Sequence, residues 1–256
     1  MMTSARRLVV LLCLFQVWPA VARARHDELV RLATLDWPPY NSAALPGGGL
    51  NTALVRQALA NAGYRLEVVT MPWTRAMASG RLDPKFDGYF PVYLSPQVRQ
   101  QCYLSMSAGD SPVVLAKRKN LLPAPRTLDE LSHYVVGVVN GYDNTEAFDL
   151  RVRQGAQPVD RADSDSANLL KLASGRVDLI IIDRNVMQWL LPRSPKLQPY
   201  AASLVAQEPP IAHQGLYLCF KRTLHGQKLA DGFDRGILQM NIPAFSRDYL
   251  STLPLH

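Results

Sequence analysis

The chain has 256 residues, a formal charge of +7 and a hydrophobic fraction of 48%. That length suffices for one large domain or two small ones with cores of their own. Its basic residues are scattered, the longest cluster being Lys117-Arg118-Lys119, a solvated strand end and no nucleic-acid patch; the histidines His26, His133, His213, His225 and His256 lack ligand spacing, which argues against a metal site.

The chain opens with Arg6 and Arg7 ahead of an apolar run from Leu8 to Trp18, which Pro19 breaks. The run is too short to cross a membrane, and small residues follow it at Ala20-Val21-Ala22 and Ala22-Arg23-Ala24. This is the pattern of a cleaved export signal over residues 1–24, with cleavage after Ala22 or Ala24 and a periplasmic destination. Removal takes Arg6, Arg7 and Arg23 from the +7 and leaves +4. It also takes Cys13, so Cys102 and Cys219 remain. In an oxidising compartment these two could form a disulfide, or serve as buried apolar thiols.

Beyond the leader, strand and helix patterns alternate, which predicts parallel or mixed sheets covered by helices. Leu29 to Leu35 reads as a strand that Pro38 and Pro39 stop. Gly47-Gly48-Gly49 opens a helix with Leu50, Leu54, Val55, Ala58, Leu59 and Ala62 on its buried face, ended by Gly63. Leu66 to Thr70 is a strand, Thr74 to Gly80 a short helix and Asp87 to Tyr93 a strand. A turn at Ser95-Pro96 follows. Strand Val113 to Lys117, a short helix near Leu128 and strand Val135 to Val139 then lead through Gly141 to a helix reaching Val152. A helix from Ser166 stops at Gly175, and Val177 to Ile182 is a fully buried strand ending on Asp183. Asn185 to Leu191 is helical, stopped by Pro192. Pro195 to Pro210 reads as irregular, Leu216 to Phe220 as a strand, and the rest as helix with Leu229, Phe233, Ile237 and Leu238 on one face.

In open α/β sheets ligands sit beyond the carboxyl ends of strands. Those places hold Trp37 and Tyr40, Trp73 and Arg75, Tyr89, Tyr93 and Arg99, and Asp183. Flat aromatic faces with a fixed cation and a fixed anion suit a small polar or zwitterionic molecule. Trp37 and Trp73 equally suit surface packing, and Asp183 equally suits a cap on the helix after it. Asn144 and Thr145 lie where a helix begins and offer either free backbone donors to an anion or caps. No nucleophile elbow, phosphate loop or histidine–cysteine pair is present.

The Asp36-Trp37-Pro38-Pro39-Tyr40 loop, Leu128-Asp129-Glu130-Leu131 with Val136-Gly137-Val138, and Leu172-Ala173-Ser174-Gly175-Arg176-Val177-Asp178 followed by Asp183 together resemble the bacterial extracellular solute-binding proteins of family 3, the amino-acid-type components of import systems. The likeness runs from about Leu29 to Tyr249. Met71-Pro72-Trp73-Thr74-Arg75-Ala76 is similar to a divergent branch. The resemblance implies a two-lobe α/β fold of type II, with residues 26–110 and 213–256 in one lobe, 111–212 in the other, and two crossing hinge strands. It implies that Arg99, at the family's spacing from Asp87, grips a ligand carboxylate, that Asp183 meets an ammonium, that Tyr40 stacks, and that Asn144 and Thr145 present a helix start. Phe90-Pro91-Val92-Tyr93 departs from the family's small-residue stretch and reshapes the pocket floor.

The expected protein is thus a monomeric, non-enzymatic binder of an amino acid or related carboxylate, without cofactor, serving a membrane transporter of the ABC importer type. The rivals are a cyclohexadienyl-dehydratase-like enzyme on the same fold and a ligand sensor for a membrane receptor. Intact-mass analysis of exported material should place the mature N-terminus at Arg23 or Arg25; retention of Met1 would overturn the leader assignment.

Overall fold

The computed structural model describes residues 28–121 and 125–253, so the leader expectation falls outside the described residues. The chain begins with β1 (Glu28–Thr34), α1 (Leu50–Asn61), β2 (Tyr64–Thr70), α2 (Trp73–Leu82), β3 (Gly88–Val92), α3 (Pro96–Gln101) and β4 (Cys102–Leu104). It continues through β5 (Asp110–Arg118), α4 (Leu128–Leu131), β6 (Val136–Val139), α5 (Glu146–Arg153), β7 (Val159–Ala162), α6 (Asp165–Ala173), β8 (Leu179–Asp183), α7 (Arg184–Arg193), β9 (Leu204–Ala206) and β10 (Ala212–Gly215). It closes with β11 (Tyr217–Lys221), α8 (Leu224–Ile237) and α9 (Ile242–Ser251).

Two sheets result. The first has the order β2-β1-β3-β11-β4, and the second β10-β5-β8-β6-β7 with β9 also on β5. β1 runs parallel to β2 and β3, whereas β11 returns antiparallel between β3 and β4. Each sheet has its own core. Leu32, Leu54, Phe90, Phe220 and Phe233 fill one, and Val114, Leu169, Leu172, Ile180 and Ile182 fill the other. Every residue of β8 is buried, as expected of a strand with helices on both faces. The tight crossing of α8 on α1 rests on Gly236, where a Cβ would overlap the Ala58 carbonyl.

The chain passes between the sheets twice, at residues 105–109 and at Leu216. These passages run side by side: the Ala108 N–H donates to the Leu216 carbonyl (2.6 Å) and the Leu216 N–H to the Gly109 carbonyl (3.0 Å). His213 to Gly215, expected with the first lobe, pair with β5 in the second sheet.

Several local expectations are corrected. Ser95-Pro96 starts a helix and not an isolated turn, because the Ser95 hydroxyl accepts from the Val98 N–H and Pro96 suits the first helical position. Pro192 lies within α7, which ends one residue later at Arg193, so the proline stops the helix at its very end. The stretch from Pro195 to Pro210 contains β9, added to the edge of β5. Leu238 is 69% exposed, since α8 ends at Ile237 and Leu238 forms its cap beyond the buried face.

Cys102 and Cys219 are joined by a disulfide, with Cα atoms 5.1 Å apart on the neighbouring strands β4 and β11. The bond closes a loop across a sequence separation of 117, which encloses the whole second sheet. Alkylation under denaturing conditions should label neither cysteine until reductant is added. The double variant Cys102→Ser/Cys219→Ser should lose about 2–4 kcal/mol in urea unfolding, and an unchanged midpoint would show that the bond does not constrain the unfolded chain.

Candidate ligand cleft between the lobes

The segment after β1 cannot continue as a strand through Pro38-Pro39, and it folds back on itself. The Trp37 N–H donates to the Asn41 carbonyl at 2.6 Å and the Tyr40 N–H to the Trp37 carbonyl at 3.0 Å. This turn stacks the Trp37 and Tyr40 rings at 4.7 Å between centroids, and Tyr93 meets Trp37 edge-on at 6.4 Å. Trp73, the first residue of α2, meets Tyr89 at 5.7 Å and Tyr142 at 6.4 Å, both edge-on. Tyr142 belongs to the second lobe, so aromatic rings from both lobes form a continuous layer. Val186 and Leu190 of α7 pack against it from the second lobe.

Hydrogen bonds cross the same seam. Tyr40 donates to Asp183 at 3.0 Å and accepts from the Asn185 amide at 2.7 Å. The Trp73 indole N–H donates to the Gly141 carbonyl at 2.9 Å, and Ser95 to Asp143 at 3.2 Å. Asp183 also caps α7 by accepting from the Val186 N–H at 2.8 Å, and it accepts from Ser111 of β5. One oxygen of the Asp183 carboxylate thus caps the helix, and the other meets Tyr40 of the opposite lobe and Ser111.

Two cavities in this seam share Leu35, Trp37, Trp73 and Tyr142 in their walls. One of about 40 Å³ is walled by those rings with Tyr89, Tyr93 and Asp143. The other, of about 490 Å³, adds Asp36, Asp163 and Asp165. Asp165 is the first residue of α6, whose cap is the Ser164 hydroxyl, and it is only 5% exposed. Burial pushes its carboxyl up to about 7, opposed by a hydrogen bond from Tyr142 at 3.1 Å. Burial likewise raises Asp183 to about 6, against the hydrogen bonds it receives from Ser111, Val186 and Tyr40. Tyr89 rises to about 12 through burial. The buried Trp37 indole N–H has no hydrogen-bond partner of good geometry, although it approaches Asp165 closely enough to favour the carboxylate.

Trp37, Tyr40, Trp73, Tyr89, Tyr93 and Asp183 thus come together at the seam. Arg75 and Arg99 do not: both are exposed and line neither cavity. On α3 it is Val98 that turns inward, and the next residue, Arg99, faces solvent. The donors expected at the start of α5 are already taken. Thr145 accepts from the Phe148 N–H, and Asp149 accepts from both the backbone and the side-chain amide of Asn144 at 2.8 and 2.9 Å. The anion at that helix start is the chain's own carboxylate.

Sequence reasoning missed Tyr142, Asp143, Asp165, Ser111 and Asn185. Tyr142 and Asp143 stand just past the end of β6, a strand end that could have marked them beside Asn144 and Thr145. Asp165 follows β7, whose sequence Val159-Asp160-Arg161-Ala162 carries too little apolar pattern to read as a strand.

No protein-family model matches the chain, and no curated protein matches it in sequence. Solved structures do match. A histidine kinase sensor domain with similarity to periplasmic binding proteins aligns over 90% of this chain and 96% of its own, at 17% identity and a TM-score of 0.73. The P235GK mutant of the arginine-binding protein from T. maritima aligns over 87% and 95%, at 17% identity and 0.70. An ancestral amino-acid-binding protein, a precursor of cyclohexadienyl dehydratase, aligns over 87% and 93%, at 16% identity and 0.64. At such identities the likeness establishes architecture, and the architecture is the two-lobe, type II fold of the periplasmic amino-acid-binding proteins.

Proposed function

We propose that this chain is a periplasmic solute-binding protein that captures a small organic ligand by closing its lobes and delivers it, as a monomer, to a membrane importer. The observation that carries this reading is the seam itself. Aromatic rings and hydrogen bonds from both lobes converge on it, while among the described residues two passages, at residues 105–109 and at Leu216, connect the lobes covalently. Two parallel passages are the natural hinge for such a closure, the mechanism that periplasmic binding proteins exemplify.

The energetics favour a ligand-dependent closure. Shutting the seam removes Asp165 and Asp183 from water with no countercharge against them, which is costly for the ionised forms. Opening restores their hydration, so the empty closed form is held weakly and a ligand that complements the seam stabilises it. A sensor role uses the same closure with a receptor as partner, and the likeness to a kinase sensor domain supports keeping it as the alternative partner class.

An enzymatic reading has one observation in its favour. Asp165, buried at the cleft with its carboxyl raised to about 7, has the properties of a general acid. Against it, a dehydratase acting on a prephenate-like dianion needs cations at the cleft, and among the described residues none lines either seam cavity. Turnover of such a compound by the purified protein would decide for the enzyme.

A thermal-shift screen with amino acids, polyamines and organic acids should yield a ligand, and small-angle scattering should show the lobes drawing together when it binds. Trp73→Ala should weaken that ligand about tenfold or more while leaving most of the stability, because Trp73 is only partly buried. If no compound raises the melting temperature and the radius of gyration never changes, the capture reading fails.

Ligand-free stability should also depend on pH. The folded protein holds protons on Asp165 up to about 7 and on Asp183 up to about 6, whereas the unfolded chain releases them near the ordinary carboxyl value of 3.8. Between these limits the folded state binds more protons, so stability falls as pH rises from about 4 to 7 and levels off above. We expect a loss of about 2–4 kcal/mol, limited by lobe opening, and thermal melts across that range should show it. A melting temperature that rises across this window would contradict the burial of these carboxyls.

A further inference from the structure

The charge of the cleft runs against the charge of the chain. Lys and Arg outnumber Asp and Glu by 28 to 21, yet among the described residues no Lys, Arg or His lines either seam cavity. The charged residues described there are all aspartates: Asp143 in the smaller cavity, and Asp36, Asp163 and Asp165 in the larger. Arg75 and Arg99, close in sequence to the cleft walls, are exposed.

We propose, building on the solute-binding reading, that the cleft takes an organic cation without a carboxylate, its alkylammonium or guanidinium group lying against the Trp37 and Trp73 rings and facing Asp165.

Aromatic faces attract cations through their quadrupole, Trp most strongly, and the attraction grows when water is excluded. The seam supplies indole and phenol rings from both lobes beside a carboxyl that has lost its hydration. A cation there provides the missing countercharge. A carboxylate in the same place would confront Asp165 and Asp183 in a poorly screened interior with no guanidinium to offset them.

The groups facing Asp165 are Tyr142 and Trp37, with Asp183 behind them and Asp36 and Asp163 along the same cavity. Cation binding requires Asp165 ionised, so affinity should rise with pH through the range in which that carboxyl titrates.

The test is calorimetry on the mature protein with matched probes that differ by a carboxylate: agmatine against L-arginine, and putrescine against L-ornithine, with succinate as the anion. Each decarboxylated cation should bind about tenfold or more tightly than its parent amino acid, and about tenfold more weakly at pH 5 than at pH 8. Asp165→Asn should cost the cation about tenfold in affinity and abolish its pH dependence. This variant should fold, since it removes a buried carboxyl, and its melting temperature checks that. Arg99→Ala should change affinity by less than about twofold, as expected for an exposed side chain.

Tighter binding of L-arginine, L-ornithine or succinate, or loss of binding in Arg99→Ala, would overturn the cation assignment while leaving ligand capture intact. So would silence from both cations at millimolar concentration when the broader screen finds a neutral or anionic ligand. Silence from every compound in the screen would overturn both readings.

Discussion

The Asp183 carboxylate ties together parts of the chain that are far apart in sequence. It caps the first turn of α7, accepts from Ser111 at the start of β5, and accepts from Tyr40 in the other lobe at 3.0 Å. Its position follows from β8, whose apolar run ends on it at the carboxyl edge of the second sheet. A buried carboxylate is tolerated only when hydrogen bonds replace its hydration, and here one of the replacing donors belongs to the opposite lobe. The helix cap and the lobe contact therefore share one group, a carboxyl that the second sheet buries.

The aromatic layer has a complementary role. Trp37, Trp73, Tyr89, Tyr93 and Tyr142 present apolar faces to the seam, and some of their polar edges bond across it, as Trp73 does to Gly141 and Tyr93 to Ser111 of β5. Such side chains can be exposed in an open state and buried in a closed one without leaving many polar atoms stranded. The Trp37 N–H is the exception, and it lies next to the carboxyl that burial shifts furthest toward neutrality at this site. Beside Asp165 the described residues supply hydrogen-bond donors but bring no cation to the cavity.

The fold and the site obey different constraints. The architecture survives at 13–18% identity across the aligned structures, because layered α/β lobes need only apolar patterning and a few close-packed glycines such as Gly236. Ligand chemistry depends on a handful of side-chain directions. A family-type spacing from Asp87 to Arg99 persists in this sequence, but α3 directs Val98 inward and Arg99 outward, so the spacing survives without the geometry that would make Arg99 a carboxylate clamp.

By itself the sequence determined the alternation of strands and helices, the buried run of β8, and the aromatic residues past the strand ends, since these depend on apolar periodicity and proline positions that are local. It left Cys102 and Cys219 undecided between thiols and a disulfide. Only the tertiary structure decided that question, through the pairing of β4 with β11. It also decided the short polar strands β7 and β10, which take their conformation from β6 and β5, and with β7 the placement of Asp165. The phase of α3 was beyond the sequence for a related reason: neighbouring residues on a helix point about 100° apart, and which of Val98 and Arg99 turned inward was settled by the apolar pocket formed with Ala76, Tyr89 and Cys219. Long-range packing chose the directions of the charges, and with them the character of the cleft.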